Sequence, residues 1–346
     1  MPEPQVSAIV PARNEEANIR AAVESLAAQA VPLEIIVVND GSTDQTGAIL
    51  AELSQRILQL RVIENPALPE GWTGKNHAVA SGVEQASAPW LLFSDADVRH
   101  MPNGVETGLA VARQTGAAMV SYSPDQDLPT WWERATIPFV YCRLADEYPY
   151  ERVSDPEDPV AAANGEWLLV SRIAYNAVGG HAAIKDEFLE DVVLARRLKR
   201  SGCRLHFARG VGLARSRMYR SLAEMREGWS KNLFLLFDRR KSTVAGAVAG
   251  AALDSLVWLL VLLACWGLWQ GWPVGHWILG LNVAIIGFRH LRYAQALRRN
   301  HYPAWCLPYY TLGSVLFAIL MLESASKYLS GDRLKWKGRE YVVPAK

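Results

Sequence analysis

Trp90-Leu91-Leu92-Phe93-Ser94-Asp95-Ala96-Asp97-Val98 is the stretch that sets the fold class. An unbroken apolar run with aromatic ends suits a strand buried on both faces, and two carboxylates then stand at its carboxyl end on either side of one residue. Working outward, Val6 to Val10, Glu34 to Val38, Leu60 to Ile63 and Ala117 to Val120 read as further strands. The segments between them are helical. Asn14 is expected to cap a helix carrying Ile19, Val23 and Leu26 on one face, and Ser42 or Thr43 to cap the next, which runs toward Leu53. Such β-α alternation predicts an α/β domain with a mostly parallel sheet covered on both faces and ligands at the carboxyl ends of its strands.

The loops after the strands carry the chemistry. Asp95 and Asp97 offer the oxygen ligands that hard divalent cations prefer, and Mg²⁺ keeps part of its water while bridging one or two carboxylates to phosphate oxygens. A turn with two solvated acids also fits an isolated Asp-x-Asp; its place after a buried strand favours metal and diphosphate. Val38-Asn39-Asp40-Gly41-Ser42-Thr43-Asp44 has the same placement one strand earlier. There Asp40 can accept from the imide N–H of a uracil, while Ser42 and Thr43 read better as caps. Pro11-Ala12-Arg13-Asn14-Glu15 follows the first strand and puts Glu15 within reach of a ribose or base, although an acid in a capped first turn is nearly as good a reading. Gly71-Trp72-Thr73-Gly74-Lys75-Asn76 brings Lys75 toward phosphate oxygens from a loop without the glycine spacing of a Walker loop.

Taken in this order, the four pieces resemble glycosyltransferase family 2, whose nucleotide-sugar-binding A-type fold is Rossmann-like. The resemblance implies that Pro11, Glu15 and Asp40 hold the nucleoside, that Asp95 and Asp97 hold diphosphate and a Mg²⁺ or Mn²⁺ ion, and that a later Glu-Asp pair supplies the base; Arg13, in the loop with Pro11 and Glu15, is a further expected substrate-binding residue. Asn164-Gly165-Glu166, Gly179-Gly180-His181 and Leu189-Glu190-Asp191-Val192-Val193-Leu194 reproduce that later block, with Gly165 at the substrate and Glu190 and Asp191 at the reaction centre. The likeness spans Val6 to about Asn232. The glycine loop, the Gly179-Gly180-His181 turn and Trp336-Lys337-Gly338-Arg339 look most like the hopanoid- and carotenoid-associated members. Processive polysaccharide synthases carry Gln-x-x-Arg-Trp after the base; here Met225-Arg226-Glu227-Gly228-Trp229 keeps only the Trp, which makes long-chain polymer synthesis improbable. Trp229 is placed to stack on an acceptor, with Arg226 or Lys231 in place of the lost cation, and a helix resting on a membrane surface explains the same residues equally well.

The remaining composition bears on location. The chain has 346 residues, half of them apolar, with 13 Trp and a formal net charge of +1, which excludes the basic field that nucleic acid would require. Cys142, Cys203, Cys265 and Cys306 have no paired metal-ligand spacing and read as reduced packing residues. The start Pro2-Glu3-Pro4 lacks the charged and apolar regions of a signal peptide, so the N-terminal domain is expected to stay in the cytosol. Residues 1–238 are expected to form that domain, with a nucleotide half at 1–124 and an acceptor half at 125–238. Residues 239–346 are expected to anchor it in the cell (inner) membrane as a multi-pass protein. Thr243 to Trp269 is long enough to cross a hydrocarbon core of ~30 Å at ~1.5 Å per residue. Pro273 to Phe288 is the expected second span, and Arg239, Arg240 and Lys241 before the pair with Arg289, Arg292, Arg298 and Arg299 after it place both ends inside. Trp305 to Leu322 is expected to be re-entrant or interfacial, leaving the tail with Arg333, Lys335, Lys337 and Arg339 in the cytosol. The whole reads as an inverting transfer of a sugar from a UDP-sugar to a membrane lipid such as a hopanoid or carotenoid. A polyprenyl phosphate is the alternative acceptor. A sugar nucleotidyltransferase is the alternative of another class, and the absence of glycine from Pro11 to Glu15 argues against it.

Overall fold

The computed structural model describes residues 3–65, 67–331 and 334–341, so Arg333 of the basic tail lies outside the described residues. The chain divides into two compact units, Met1–Asp127 with Tyr148–Met218 and Leu128–Glu147 with Tyr219–Lys346. The stretch expected to form an acceptor half, residues 125–238, is thereby shared between them.

The first unit is built on eight strands: β1 (Val6–Ala12), β2 (Leu33–Asn39), β3 (Leu60–Glu64), β4 (Trp90–Ser94), β5 (Val98–His100), β6 (Met119–Gln126), β7 (Trp167–Ser171) and β8 (Leu205–Ser216). Their order in the sheet is β3-β2-β1-β4-β7-β6-β8-β5. The half nearest β1 is parallel, as the β-α alternation requires, and pairs Val6 with Leu33 and with Trp90. Beyond β4 the sheet is mixed: β7 runs antiparallel to both β4 and β6, and β5 antiparallel to β8. Helices α1 (Ile19–Ala27), α2 (Thr46–Arg56), α3 (Gly74–Glu84) and α4 (Gly104–Thr115) follow the early strands; α5 (Trp131–Glu147) belongs to the second unit; α6 (Tyr150–Ser154), α7 (Arg172–Ala177) and α8 (Glu190–Arg200) complete the first. Apolar residues on the two sheet faces feed two cores, one centred on Val10, Ile35 and Leu92 and the other on Ile9, Ile36 and Leu91, as alternation along a strand dictates.

Two expected caps are corrected. Asn14 is not the cap of α1: it adopts φ 54°, and its side-chain oxygen accepts from the Thr43 N–H at 2.8 Å, while Ser42 Oγ accepts from the Asn14 N–H at 3.0 Å. The polar residues after β1 and β2 thus satisfy each other across adjacent loops. Neither Ser42 nor Thr43 caps α2; Asp44 does the equivalent work by accepting from the Thr46 N–H at 3.0 Å.

The second unit contains α5, α9 (Leu222–Leu236), α10 (Lys241–Trp269), α11 (Gly275–Arg299), a 3₁₀ turn at Ala304–Tyr309 running into α12 (Tyr310–Ser330), and a hairpin of β9 (Leu334–Trp336) and β10 (Arg339–Tyr341). Among the described residues, two helical runs are long and apolar enough to cross a membrane, Lys241–Trp269 and Ala304–Ser330. The expected second span is not one of these two. Pro273 to Phe288 lies largely within α11, whose charged end from Arg289 onward interrupts the apolar length, whereas the third segment is one long helical run. The end of α12 returns to the beginning of α10: the Arg239 guanidinium lies over the Tyr328 ring at 5.3 Å, and the Tyr328 hydroxyl donates to the Lys231 carbonyl at 2.7 Å. Leu259, Leu262, Trp269, Trp277, Leu281 and Phe288 on α10 and α11 face outward without protein cover.

Candidate active site

The carboxyl end of β4 opens into the Asp95 turn, in which the Asp95 carbonyl accepts from the Val98 N–H at 3.2 Å. A buried histidine fixes this corner. The Trp167 indole N–H donates to His100 Nδ1 at 3.1 Å, so the neutral ring carries its proton on Nε2, which lies 2.9 Å from Ser94 Oγ. Burial lowers His100 to about 3 and keeps it neutral. The start of β7 is thereby tied to the end of β4.

Lys75 sits in the first turn of α3, which Thr73 caps by accepting from the Asn76 N–H at 3.3 Å. The Asn76 side-chain amide donates to the carbonyls of Ile184 at 2.7 Å and Glu187 at 2.9 Å, which pins the loop before α8 against α3. Glu190 at the start of α8 is thereby brought to Lys75. The Lys75 ammonium lies 2.7 Å from Asp95 Oδ1 and 2.7 Å from Glu190 Oε1. Burial opposes its charge, but the two carboxylates outweigh that and hold it well above the ordinary lysine range.

Asp191 is held differently. Its carboxylate accepts the backbone N–H of Gly165 at 2.8 Å and that of Val192 at 2.8 Å. Burial, and then the negative charge of Glu190, push it up to about 7 against the pull of Lys75 and the two N–H donors. Of the two adjacent acids, Glu190 is therefore bound to a cation and Asp191 is poised near neutrality.

Pro11, Lys75, Asp95, Gly165, Glu190 and Asp191 line one cleft, so six of the residues singled out in the sequence converge. Asp40 and Arg13 stand on the neighbouring strand ends. Asp40 is 5 % exposed, and its Oδ1 accepts from the Asn65 side chain at 2.9 Å. Arg13 donates to the Asp40 carbonyl at 2.6 Å and the Gly41 carbonyl at 3.1 Å, which shapes the Asp40 loop. Glu15 is half-buried and accepts from Asn18 at 2.8 Å. Asp97 is half-buried one residue beyond Ala96. Among the described residues no three His, Cys, Asp or Glu side chains are grouped to hold a metal by themselves. The donor set of Asp95 and Asp97 fits a Mg²⁺ or Mn²⁺ that takes its remaining ligands from water and diphosphate oxygens. Trp229 lies in the second unit, 3 % exposed, edge-on to Tyr141 with ring centres 6.1 Å apart. The cleft also includes Phe93 and His181, which the sequence reading did not assign to it. The signal available for His181 was the Gly179-Gly180 pair before it.

A mixed sheet with Asp95 at the end of β4, and with Lys75 at the start of α3 and Glu190 and Asp191 at the start of α8 gathered beside it, has the architecture of the A-type glycosyltransferases. Residues 7–170 match the model of glycosyl transferase family 2, and the protein is a glycosyltransferase. The chain is 25 % identical over 342 residues to the 4,4'-diaponeurosporenoate glycosyltransferase of Staphylococcus aureus, covering 97 % of this chain and 88 % of the relative. The enzyme of that name from Staphylococcus haemolyticus is 24 % identical over 351 residues, covering 98 % and 88 %. The fold is also that of the mannosyltransferase of Pyrobaculum calidifontis in complex with GDP-Man and Mn²⁺, with a TM-score of 0.56, 17 % identity and coverage of 94 % of this chain and 87 % of that one.

Proposed function

We propose that the protein transfers a sugar, with inversion, from a UDP-sugar to a hydroxyl of a carotenoid-class or related polyisoprenoid lipid at the cytosolic face of a membrane. The observation that carries this reading is the convergence of Lys75, Asp95, Glu190 and Asp191 in one cleft. Asp40 would accept from the imide N–H of the base, with Arg13 and Asn65 holding it in place, and Pro11 and Glu15 would flank the nucleoside. Lys75 would neutralise the diphosphate as it leaves. A Mg²⁺ or Mn²⁺ held by Asp95 and Asp97, when bound, supplies Lewis-acid stabilisation of the same leaving group. Glu190 anchors Lys75, and Asp191 takes the acceptor hydroxyl proton as the oxygen attacks the anomeric carbon on the face opposite the departing phosphate.

The lipid class rests on the Staphylococcus relatives, whose likeness runs through the C-terminal helices as well as the catalytic unit. The outward apolar side chains of α10 and α11 and the two long apolar helical runs suit a bilayer. Gly165, beside Asp191, would lie against the reacting sugar. A second reading takes the acceptor as a carboxylate, because the "-oate" of the relatives' name denotes one. An ionised carboxylate needs no base. The test is incubation of detergent-solubilised protein with Mn²⁺, a panel of UDP-sugars, and either a hydroxylated carotenoid, a carotenoid carboxylate or a polyprenyl phosphate. Glycosylation of the hydroxylated lipid with an inverted anomeric centre is expected, and exclusive use of the polyprenyl phosphate would overturn the acceptor assignment.

A further inference from the structure

The hydroxyl of Tyr175 settles which nitrogen of His181 carries a proton. Its oxygen accepts the backbone N–H of His181 at 2.9 Å and lies 2.9 Å from Nδ1 of the same residue. Among the described residues the hydroxyl has no other acceptor for its own proton, so it donates to Nδ1. The neutral ring then keeps its proton on Nε2. Burial, reinforced by the Lys75 charge, lowers His181 to about 3, so the ring is not an imidazolium. The pair is assembled by Gly180, whose φ of +51° with ψ of −151° suits glycine, and on which a Cβ would stand 2.7 Å from the Tyr175 hydroxyl oxygen.

His181 lines the cleft beside Lys75 and Glu190, only 2 % exposed, with its ring edge-on to Phe93 at 5.0 Å. Among the described residues its Nε2 makes no hydrogen bond to protein. The cleft's charged groups are one ammonium and three carboxylates, which suit a cation and an anionic diphosphate. Ser94, the other neutral polar side chain there, is engaged by His100. An uncharged donor complements an uncharged oxygen.

We propose that the Nε2–H of His181 donates a hydrogen bond to a hydroxyl of the sugar being transferred, and that Tyr175 is a positioning residue that fixes the tautomer able to do so. The proposal rests on the cleft being the nucleotide-sugar site. A buried donor built for a substrate hydroxyl discriminates strongly against sugars that leave it unpaired, which makes this contact a determinant of donor choice.

Calorimetric titration of the full-length protein with Mn²⁺ tests it, using UDP and then UDP-glucose, UDP-galactose and UDP-N-acetylglucosamine. Wild-type protein is expected to bind one UDP-sugar more tightly than UDP. His181→Asn keeps an acceptor where Nδ1 stood but lacks the Nε2–H; it should lose about 5- to 10-fold in affinity for that sugar nucleotide and nothing for UDP. His181→Gln, which reaches the Nε2 position with an amide N–H, should recover part of the loss. In ¹⁵N spectra the His181 ring should be the Nε2–H tautomer in wild-type protein and a mixture in Tyr175→Phe. Unchanged affinity for the UDP-sugar in His181→Asn, an equal loss for UDP, no gain from any sugar over UDP, or an Nδ1–H tautomer would each overturn the proposal. Failure of wild-type protein to bind UDP would instead refute the nucleotide-sugar reading of the cleft.

Discussion

The backbone N–H of Gly165 donates to Asp191 at 2.8 Å, and a Cβ on Gly165 would stand 3.3 Å from the same carboxylate oxygen, 3.3 Å from Lys75 Nζ and 3.4 Å from Glu190 Oε1. This glycine lets the loop before β7 approach the three charged groups closely enough to hold Asp191 by its main chain. Gly165→Ala should therefore displace the cluster by a few tenths of an ångström and lower kcat by about 10- to 100-fold, since small misplacements at a reacting centre are costly. Thermal stability should change little. Wild-type turnover in Gly165→Ala would show that the close approach is incidental.

Asp191→Asn keeps the size of the side chain and an oxygen for the Gly165 N–H but cannot take a proton. With a hydroxyl acceptor, kcat should fall about 10²- to 10⁴-fold while affinity for UDP stays unchanged, the signature of an interaction made in the transition state. Glu190→Gln should instead loosen Lys75 and weaken donor binding, with a smaller effect on rate. Near-normal turnover of Asp191→Asn would mean that the acceptor oxygen arrives already ionised.

The raised value of Asp191 has a direction that pH can test. Between the unfolded carboxylate range near 4 and about 7, the folded chain binds more protons than the unfolded one. The stability contributed by this group is therefore present at low pH and lost as pH rises through about 7. Asp191→Asn imitates the protonated acid, so it should melt at a higher temperature than wild type at pH 8 and at the same temperature near pH 4. The base works only when ionised, so kcat/KM with a hydroxyl acceptor should rise with pH through the same region. Parallel melting curves of the two proteins at all pH values would contradict the assignment.

How much of this was legible beforehand depended on whether the deciding interaction was local. The strand ends bearing Pro11, Asp40 and Asp95 could be read from short apolar runs and the acids after them, because burial and turn chemistry act over a few residues. The antiparallel course of β7 could not, since Trp167 to Ser171 pairs with β4 more than seventy residues earlier in the chain and nothing nearby specifies direction. Asn14 misled for a related reason. It is a good cap by type, but Thr43 offers it a partner on the next loop. The Lys75–Glu190 pair was hidden because it depends on Asn76 gripping Ile184 and Glu187, a contact more than a hundred residues apart. The aromatic helix α5 read as part of an acceptor region, yet Phe139 packs on Phe317 and Tyr310 in the helical unit.

The return of α12 to the start of α10 favours the proposed arrangement, with both the catalytic unit and the tail in the cytosol. With Tyr328 beneath Arg239, reporter fusions after Asp238, after Arg299 and at Lys346 should all report the cytosol. An external signal at Lys346 would show that the last helix crosses completely and carries the tail outside.

If Asp95 and Asp97 hold the metal as proposed, Asp97→Ala is the sharper lesion: metal-dependent UDP binding should disappear with the fold intact. Asp95→Ala should weaken binding and also free Lys75 from one of its two partners. Full activity of wild-type protein in excess chelator would remove the metal from the reaction.

Glycosyl transfer to a membrane lipid through the Lys75–Asp95–Glu190–Asp191 cleft is tested most directly by the fate of an isotopically labelled sugar. Membranes containing either wild-type protein or Asp97→Ala, supplied with carotenoid and ¹³C-labelled UDP-sugars, should be extracted and the lipids weighed by mass spectrometry. The label should appear in a carotenoid-class lipid with wild-type protein and be absent with Asp97→Ala. Label confined to water-soluble products, or equal lipid labelling in both, would contradict it.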